Sequence, residues 1–298
     1  MPQCGERGVV SVGTFLAVDW GTTNRRVYLI EGDRVVTTER DDRGVAAKPD
    51  FAGEIDGIRD RFGPHRIVMA GMVGSSIGWH EAPYVPAPAD LSTLAAACVQ
   101  PDRDVYIVPG VSRMDDTRAD VMRGEEVQLL GAVDAGLVPP DALLIQPGTH
   151  CKWVETKGGS IARFTTAMTG ELFAILSRDS ILASQLAGSV AQGEAFLAGV
   201  DKGLERDLSA ALFGIRAAGL LGSLAQDDAP SFASGLLIGA EVAARFTEYG
   251  HDLVHILADE RLGVLYAKAI ERAGRKSTVI DSQAAFVRGI VKIEGLLP

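Results

Sequence analysis

Apolar runs alternate with polar turns along the chain, and they come in two sizes. The short ones, Phe15–Asp19, Arg66–Ala70, Val105–Val108, Leu143–Ile145, Leu253–Ala258 and Thr278–Ile280, have the length and composition of buried strands. Val27–Ile30 and Arg34–Thr38 flank Glu31-Gly32-Asp33, and Lys152–Glu155 and Ser160–Phe164 flank Lys157-Gly158-Gly159, so each pair predicts a hairpin. Helical spacing predicts helices over 54–61, 91–99, 125–135, 234–246, 263–272 and 283–291, with an Ala- and Leu-rich, mostly helical region over 171–224. Gly71–Pro88 and Pro109–Arg123 read as loops.

Gly136-Leu137-Val138-Pro139-Pro140 is the best candidate boundary, because Gly and Pro there interrupt every periodic pattern. Each side of it opens with an apolar strand, a Gly/Thr turn and a hairpin, and then moves to helices. The repetition is one of architecture, without a residue-level repeat. It predicts an α/β protein of two related lobes with a cleft between them: a flexible tail over 1–12, a first lobe over 13–138 and a second over 139–298.

Composition narrows the class. A length of 298 residues suits two domains, and 47% apolar with 23% charged residues is ordinary globular usage, which excludes a disordered chain. A net charge of −10 is the wrong sign for a nucleic-acid binder, although a local cationic pocket for a small anion is allowed. The cysteines Cys4, Cys98 and Cys151 form no CxxC pair, which argues for a reducing compartment. No stretch reaches the ~18 apolar residues of a membrane span, and the N-terminal residues lack a signal-peptide core. The expectation is a soluble, cytoplasmic protein.

Four constellations could carry chemistry. Asp19-Trp20-Gly21-Thr22-Thr23-Asn24-Arg25 closes the first strand; Gly21 permits a sharp turn, and Thr22, Thr23 and Asn24 with nearby N–H groups can surround phosphate oxygens while Asp19 holds a metal ion. Pro147-Gly148-Thr149-His150-Cys151-Lys152-Trp153 repeats the Gly-Thr chemistry in the second half. Two such turns could grip one polyphosphate from opposite lobes; an ordinary hairpin turn is the bland alternative for each. Glu125 and Glu126 follow Arg123-Gly124 at a helix start, where carboxylates complement the dipole or serve as a general base. Gly74-Ser75-Ser76-Ile77-Gly78 matches a nucleophile elbow formally, but the prolines that follow bar the required helix, so a substrate loop with Ser75, Trp79 and Tyr84 as walls is the better reading.

The segments DWGTTNRR, AGMVGSSIGW–APY, VMRGEE–QLLGA, PGTHCKWV, TGEL (169–172) and SGLLIGAE (234–241) occur in that order. Together they resemble the 2-dehydro-3-deoxygalactonokinase family of the actin, hexokinase and sugar-kinase superfamily. The resemblance implies two ribonuclease-H-like (actin-like ATPase) lobes with ATP between them, Mg²⁺, and phosphorylation of the 6-hydroxyl of 2-dehydro-3-deoxy-D-galactonate in galactonate or galactose breakdown. It implies Gly21, Thr22, Thr23 and Asn24 as the first phosphate loop, Gly148, Thr149 and Lys152 as the second, and Gly235 and Gly239, with the Ala258-Asp259 turn, near adenosine. The superfamily often has Gly where Asp259 stands and an Asp base where Glu125 and Glu126 stand.

The expected reaction is in-line transfer with Mg²⁺ held through Asp19, and with Glu125 or Glu126 taking the hydroxyl proton. Arg25 and Arg123 are the candidates for the substrate carboxylate. Competing expectations are a kinase for the epimeric 2-dehydro-3-deoxy-gluconate, an actin-like sensor ATPase, and a serine hydrolase at Ser76. Partners are then a sugar acid and ATP, without nucleic acid or membrane; a homodimer stays open.

Overall fold

The computed structural model describes residues 13–116 and 118–298, so the tail expected over 1–12 lies outside the described residues. Two compact units emerge, one running through Ala135 and taking in Gln283–Pro298, the other Gly136–Ser282.

The first unit holds β1 (Thr14–Trp20), β2 (Arg25–Glu31), β3 (Arg34–Asp41), α1 (Phe51–Phe62), β4 (Arg66–Gly71), β5 (Tyr84–Pro86), α2 (Leu91–Ala96), β6 (Val99–Asp102), β7 (Val105–Ile107), β8 (Gly110–Asp115), β9 (Arg118–Met122) and α3 (Glu125–Asp134). Its main sheet has the order β3-β2-β1-β4-β7-β6. The first three strands are an antiparallel meander, and β1, β4 and β7 run parallel. Phe15–Val18 are all buried, because β1 lies inside the sheet with both faces covered. One face, through Leu16, Val18, Ile67 and Met69, packs on Ile55 and Ile58 of α1.

The second unit holds β10 (Ala142–Gln146), β11 (Cys151–Lys157), β12 (Ser160–Ala167), α4 (Thr169–Asp179), α5 (Glu194–Leu204), α6 (Leu208–Leu220), α7 (Ala229–Glu248), β13 (Leu253–Leu257), α8 (Glu260–Arg272) and β14 (Lys276–Ile280). Its sheet order is β12-β11-β10-β13-β14, again an antiparallel meander followed by parallel strands. Each unit therefore has the ribonuclease-H-like topology, and the chain is an α/β protein of that doubled design.

Three expectations need correction. The last helix, α9 (Ser282–Glu294), belongs to the first unit and not to a lobe spanning 139–298. Its Phe286 ring lies 5.5 Å from Tyr28 of β2, and Gly289 and Gly131 allow α9 and α3 to meet backbone to backbone. Arg66 of β4 donates to the Pro298 carbonyl at 2.7 Å. An amphipathic helix reveals a buried face but not which sheet covers it, so its sequence neighbours were a poor guide. Second, Pro109–Arg123 is no loop: β8 and β9 pair as a hairpin, with β5 added in parallel. Polar residues (Ser112, Arg113, Asp115, Arg118 and Asp120) interrupt every apolar run there, which hid the strand pattern. Third, the helix expected over 91–99 stops at Ala96, and Val99 begins β6.

Candidate active site

The acceptor-side candidates gather in the first unit where parallel strands β1 and β4 end, the usual place for a site on such a sheet. Trp20 ends β1, Gly71 ends β4, and Gly124 precedes α3. A Cβ on Gly71 would lie 2.8 Å from the Trp20 carbonyl oxygen, and Gly71 and Gly124 have φ of 100° and 107°. Only glycine permits both the dihedral and the approach.

Asp19 is half-buried on β1, opposite Arg26 of β2, whose guanidinium is 3.8 Å away. Burial pushes its carboxyl above the usual range; Arg26 opposes that, and the Glu125 charge adds to it. Beyond Asp19 the chain makes the Gly21–Asn24 turn, closed by Gly21 N–H donating to the Asn24 carbonyl at 2.9 Å. Thr22, Thr23 and Asn24 are exposed. Val45 and Ala46 donate to the Gly21 and Thr22 carbonyls at 3.0 and 2.9 Å, and Gly44 packs so closely on Thr22 that no side chain fits there. The turn is exposed but firmly backed.

Glu125 and Glu126 differ sharply. Glu125 is partly exposed, and its Oε2 accepts from the Arg123 N–H at 3.1 Å. Glu126 is fully buried, and both its oxygens accept from Gly124 N–H, at 2.8 and 2.7 Å. Burial, reinforced by the Glu125 charge, pushes the Glu126 carboxyl up to about 8. Adjacent helical positions point about 100° apart, so one carboxylate reaches outward while its neighbour caps the helix from within.

Arg25 is corrected as a substrate residue. It is buried, its amino groups are 2.6 Å from Asp41 and 2.7 Å from Glu54, and its guanidinium lies 4.8 Å from the centre of the Trp20 ring. Those carboxylates already occupy its charge. Ser75 is buried and donates to the Met72 carbonyl at 2.7 Å. Trp79 is half-buried and stacks on Phe51 at 6.4 Å. Tyr84 is exposed on β5, with the Arg123 guanidinium 4.3 Å from its ring centre. Ser76 is exposed, and the next regular element is β5 rather than a helix, which removes the nucleophile-elbow reading.

The second unit contains a cavity of about 300 Å³, lined by Gly148, Thr169 and Gly170 at the start of α4, Ser234 and Leu237 of α7, Asp259, and Tyr266 of α8. Thr149 is exposed beside it; its carbonyl accepts from Glu171 N–H at 2.9 Å, and Gly170 abuts Gly148 too closely for a side chain. Asp259 caps α8, its Oδ1 accepting from Leu262 N–H at 2.9 Å. Its carboxylate is thereby tied to the helix, and the residue lines the cavity where the superfamily often has Gly. Lys152 is buried on β11, donates to Thr166 at 2.9 Å, and does not line this cavity.

Gly235 and Gly239 are corrected as nucleotide contacts. Their missing Cβ atoms would strike the backbones of Phe196 and Val200 on α5, while Gly199 and Gly203 make room for α7 in return. These glycines serve a helix crossing, and Ser234, Leu237 and Ile238, on another face of the same helix, line the cavity. Below the cavity, buried Glu241 accepts from Trp153 at 2.5 Å and from the Tyr266 hydroxyl at 2.8 Å, fixing the ring that forms part of the wall. The sequence reading missed Thr169, Gly170 and Tyr266; only the TGEL segment pointed to the first two.

Among the described residues no cluster of three His, Cys, Asp or Glu side chains could hold a metal by itself. Asp19 fits Mg²⁺ in its common mode, with one carboxylate beside phosphates and waters. No helix among the described residues is long and apolar enough to cross a membrane.

The family model described as 2-keto-3-deoxy-galactonokinase matches residues 19–293. A 2-dehydro-3-deoxygalactonokinase of Escherichia coli (strain K12) is 36% identical over 285 residues, covering 94% of this chain and 97% of the relative. A Rhizobium meliloti (strain 1021) protein named "Probable 2-dehydro-3-deoxygalactonokinase DgoK1" is 37% identical, covering 95% and 97%. A crystal structure from Sinorhizobium meliloti, of a protein assigned as a 2-dehydro-3-deoxygalactonokinase, superposes with a TM-score of 0.87 at 37% identity, covering 93% of this chain and 96% of that one.

Proposed function

The chain belongs to the 2-keto-3-deoxy-galactonokinase family, and from that premise we propose that it transfers the γ-phosphoryl group of ATP to the 6-hydroxyl of 2-dehydro-3-deoxy-D-galactonate. The observation that carries this reading is Glu125, a partly exposed carboxylate in the first turn of α3 whose charge reaches Asp19 at the end of β1.

In this reading Glu125 takes the proton of the acceptor hydroxyl, and Glu126 does not, because its oxygens are committed to Gly124 and its carboxyl is kept largely neutral. The exposed groups of Thr22, Thr23 and Asn24 supply donors to phosphate oxygens. In the second unit Gly148 and Thr149 are the proposed nucleotide-side donors, with the adenosine in the cavity that Tyr266 lines. Asp19 would hold Mg²⁺, which supplies charge neutralisation on the phosphates when bound. Trp79 and Tyr84 offer walls to the sugar acid. The cytoplasm, as a reducing compartment that holds ATP, is the proposed location.

The test is a coupled ADP-release assay across a panel of 2-keto-3-deoxy sugar acids. ADP formed with the galactonate-derived acid supports the reading. Preference for the gluconate-derived epimer shifts the substrate, and ADP formed without any acceptor makes the protein an ATPase.

A further inference from the structure

Arg123 carries a buried charge that forms no ion pair among the described residues, although Glu126 lies within its electrostatic reach. The residue is 8% exposed. Its Nη2 donates to the Ala82 carbonyl at 2.8 Å, whereas Nε and Nη1 are buried without any hydrogen-bond partner. Among the described residues it forms no ion pair within 4.0 Å, and the carboxylates nearest in sequence are engaged elsewhere: Glu125 accepts from the Arg123 backbone N–H, and Glu126 accepts twice from Gly124. Arg25 shows the contrast, a still more deeply buried guanidinium with two carboxylates on it. Burying an unpaired cation is costly, and the cost is recovered only if an anion arrives.

The surroundings hold this guanidinium in place. The Tyr84 ring lies against it at 4.3 Å, and the ring itself rests on Gly110, where an added Cβ would lie 2.7 Å from the ring. On another side, a Cβ on Gly74 would come within 3.0 Å of Nη1. Two glycines thus clear the space for an arginine stacked on an aromatic ring, one residue before the turn that presents Glu125. Stacking is the arrangement in which a guanidinium keeps its donor edges available for a planar anion.

We propose that Arg123 binds the carboxylate of the sugar acid and so sets the enzyme's preference for acids over neutral sugars. This deepens the kinase reading above and rests on it. The carboxylate pairs with Nε or Nη1, the two donors that are buried without a partner, so the acid end is anchored at Arg123 and the opposite terminus is the one presented for phosphorylation. A phosphate of the nucleotide is the other anion that could satisfy the same donors, and the experiment separates the two.

Wild type, Arg123→Gln and Arg123→Lys are assayed by ADP release with 2-dehydro-3-deoxygalactonate and with its carboxamide, and AMP-PNP affinity is measured by calorimetry. For Arg123→Gln the expected result is a rise in KM for the acid of about 30-fold or more, with AMP-PNP affinity held within about twofold. Wild type discriminates acid from carboxamide by a similar factor, and Arg123→Gln loses that discrimination. Arg123→Lys, which keeps the charge without the planar fork, recovers part of the loss; should the Gln variant not fold, a raised KM in the Lys variant carries the same expectation. An unchanged KM in the folded variants, retained discrimination in Arg123→Gln, or a loss confined to AMP-PNP overturns the proposal. A wild-type protein that releases no ADP with any sugar acid overturns the kinase reading itself.

Discussion

Gly124 stands against Gly71 so closely that a Cβ on Gly124 would lie 3.0 Å from the Gly71 α-carbon. This contact joins the start of α3 to the end of β4 and thereby sets where Glu125 emerges. Gly124→Ala must both leave a favourable dihedral and push β4 away, at a cost of about 2–4 kcal/mol. Thermal unfolding is expected to show that loss, and the folded fraction is expected to have a lower kcat because Glu125 is displaced.

Glu125→Gln removes the proposed base while preserving shape. A fall in kcat of about 10²–10⁴-fold with AMP-PNP affinity nearly unchanged is expected in steady-state kinetics and calorimetry. A fully active Glu125→Gln alongside an inactive Glu126→Gln would exchange the two assignments.

Glu126 makes a different prediction, one of pH. Its carboxyl is raised to about 8 in the folded protein from an ordinary 4.5, so the folded state holds the proton more tightly than the unfolded state does. The folded state therefore binds more protons between those values, and this group's contribution to stability is full below 4.5 and declines as pH rises towards 8. Glu126→Gln keeps an acceptor for Gly124 N–H and cannot ionise. Denaturant unfolding from pH 5 to 8 is expected to show a shallower loss of stability in this variant than in wild type. Parallel curves would mean that Glu126 is ionised in the folded state.

Gly235→Ala distinguishes packing from nucleotide contact. Its methyl group would strike the Phe196 backbone of α5. A destabilisation of about 2–4 kcal/mol, measured by chemical denaturation, is the expected effect. Loss of nucleotide affinity at unchanged stability would return Gly235 to the site.

The strands were legible where burial on both faces left an unbroken apolar run, as in Phe15–Val18 and Leu143–Ile145, and the hairpins where Gly punctuated two β-rich segments. The β8–β9 hairpin was not legible, since polar residues such as Ser112, Arg113, Arg118 and Asp120 break up its apolar positions and resemble a loop. Of the candidate site, Asp19 and the Gly-Thr turns could be proposed from sequence because a strand end followed by Gly and hydroxyl residues is a local pattern. The cavity wall could not, because Thr169, Ser234 and Tyr266 come from three separate helices.

The sequence by itself determined the α/β class, the doubled order of strand, turn and hairpin, and the residue types able to meet phosphate and take a proton. Those are matters of periodicity and local chemistry, and a single segment carries them. Only the tertiary structure decided that α9 returns to the first unit, that Gly235 and Gly239 face a helix and not a ligand, and that of two buried arginines Arg25 is paired and Arg123 is not. Burial and partner choice depend on residues far apart in the chain, and only packing brings those together.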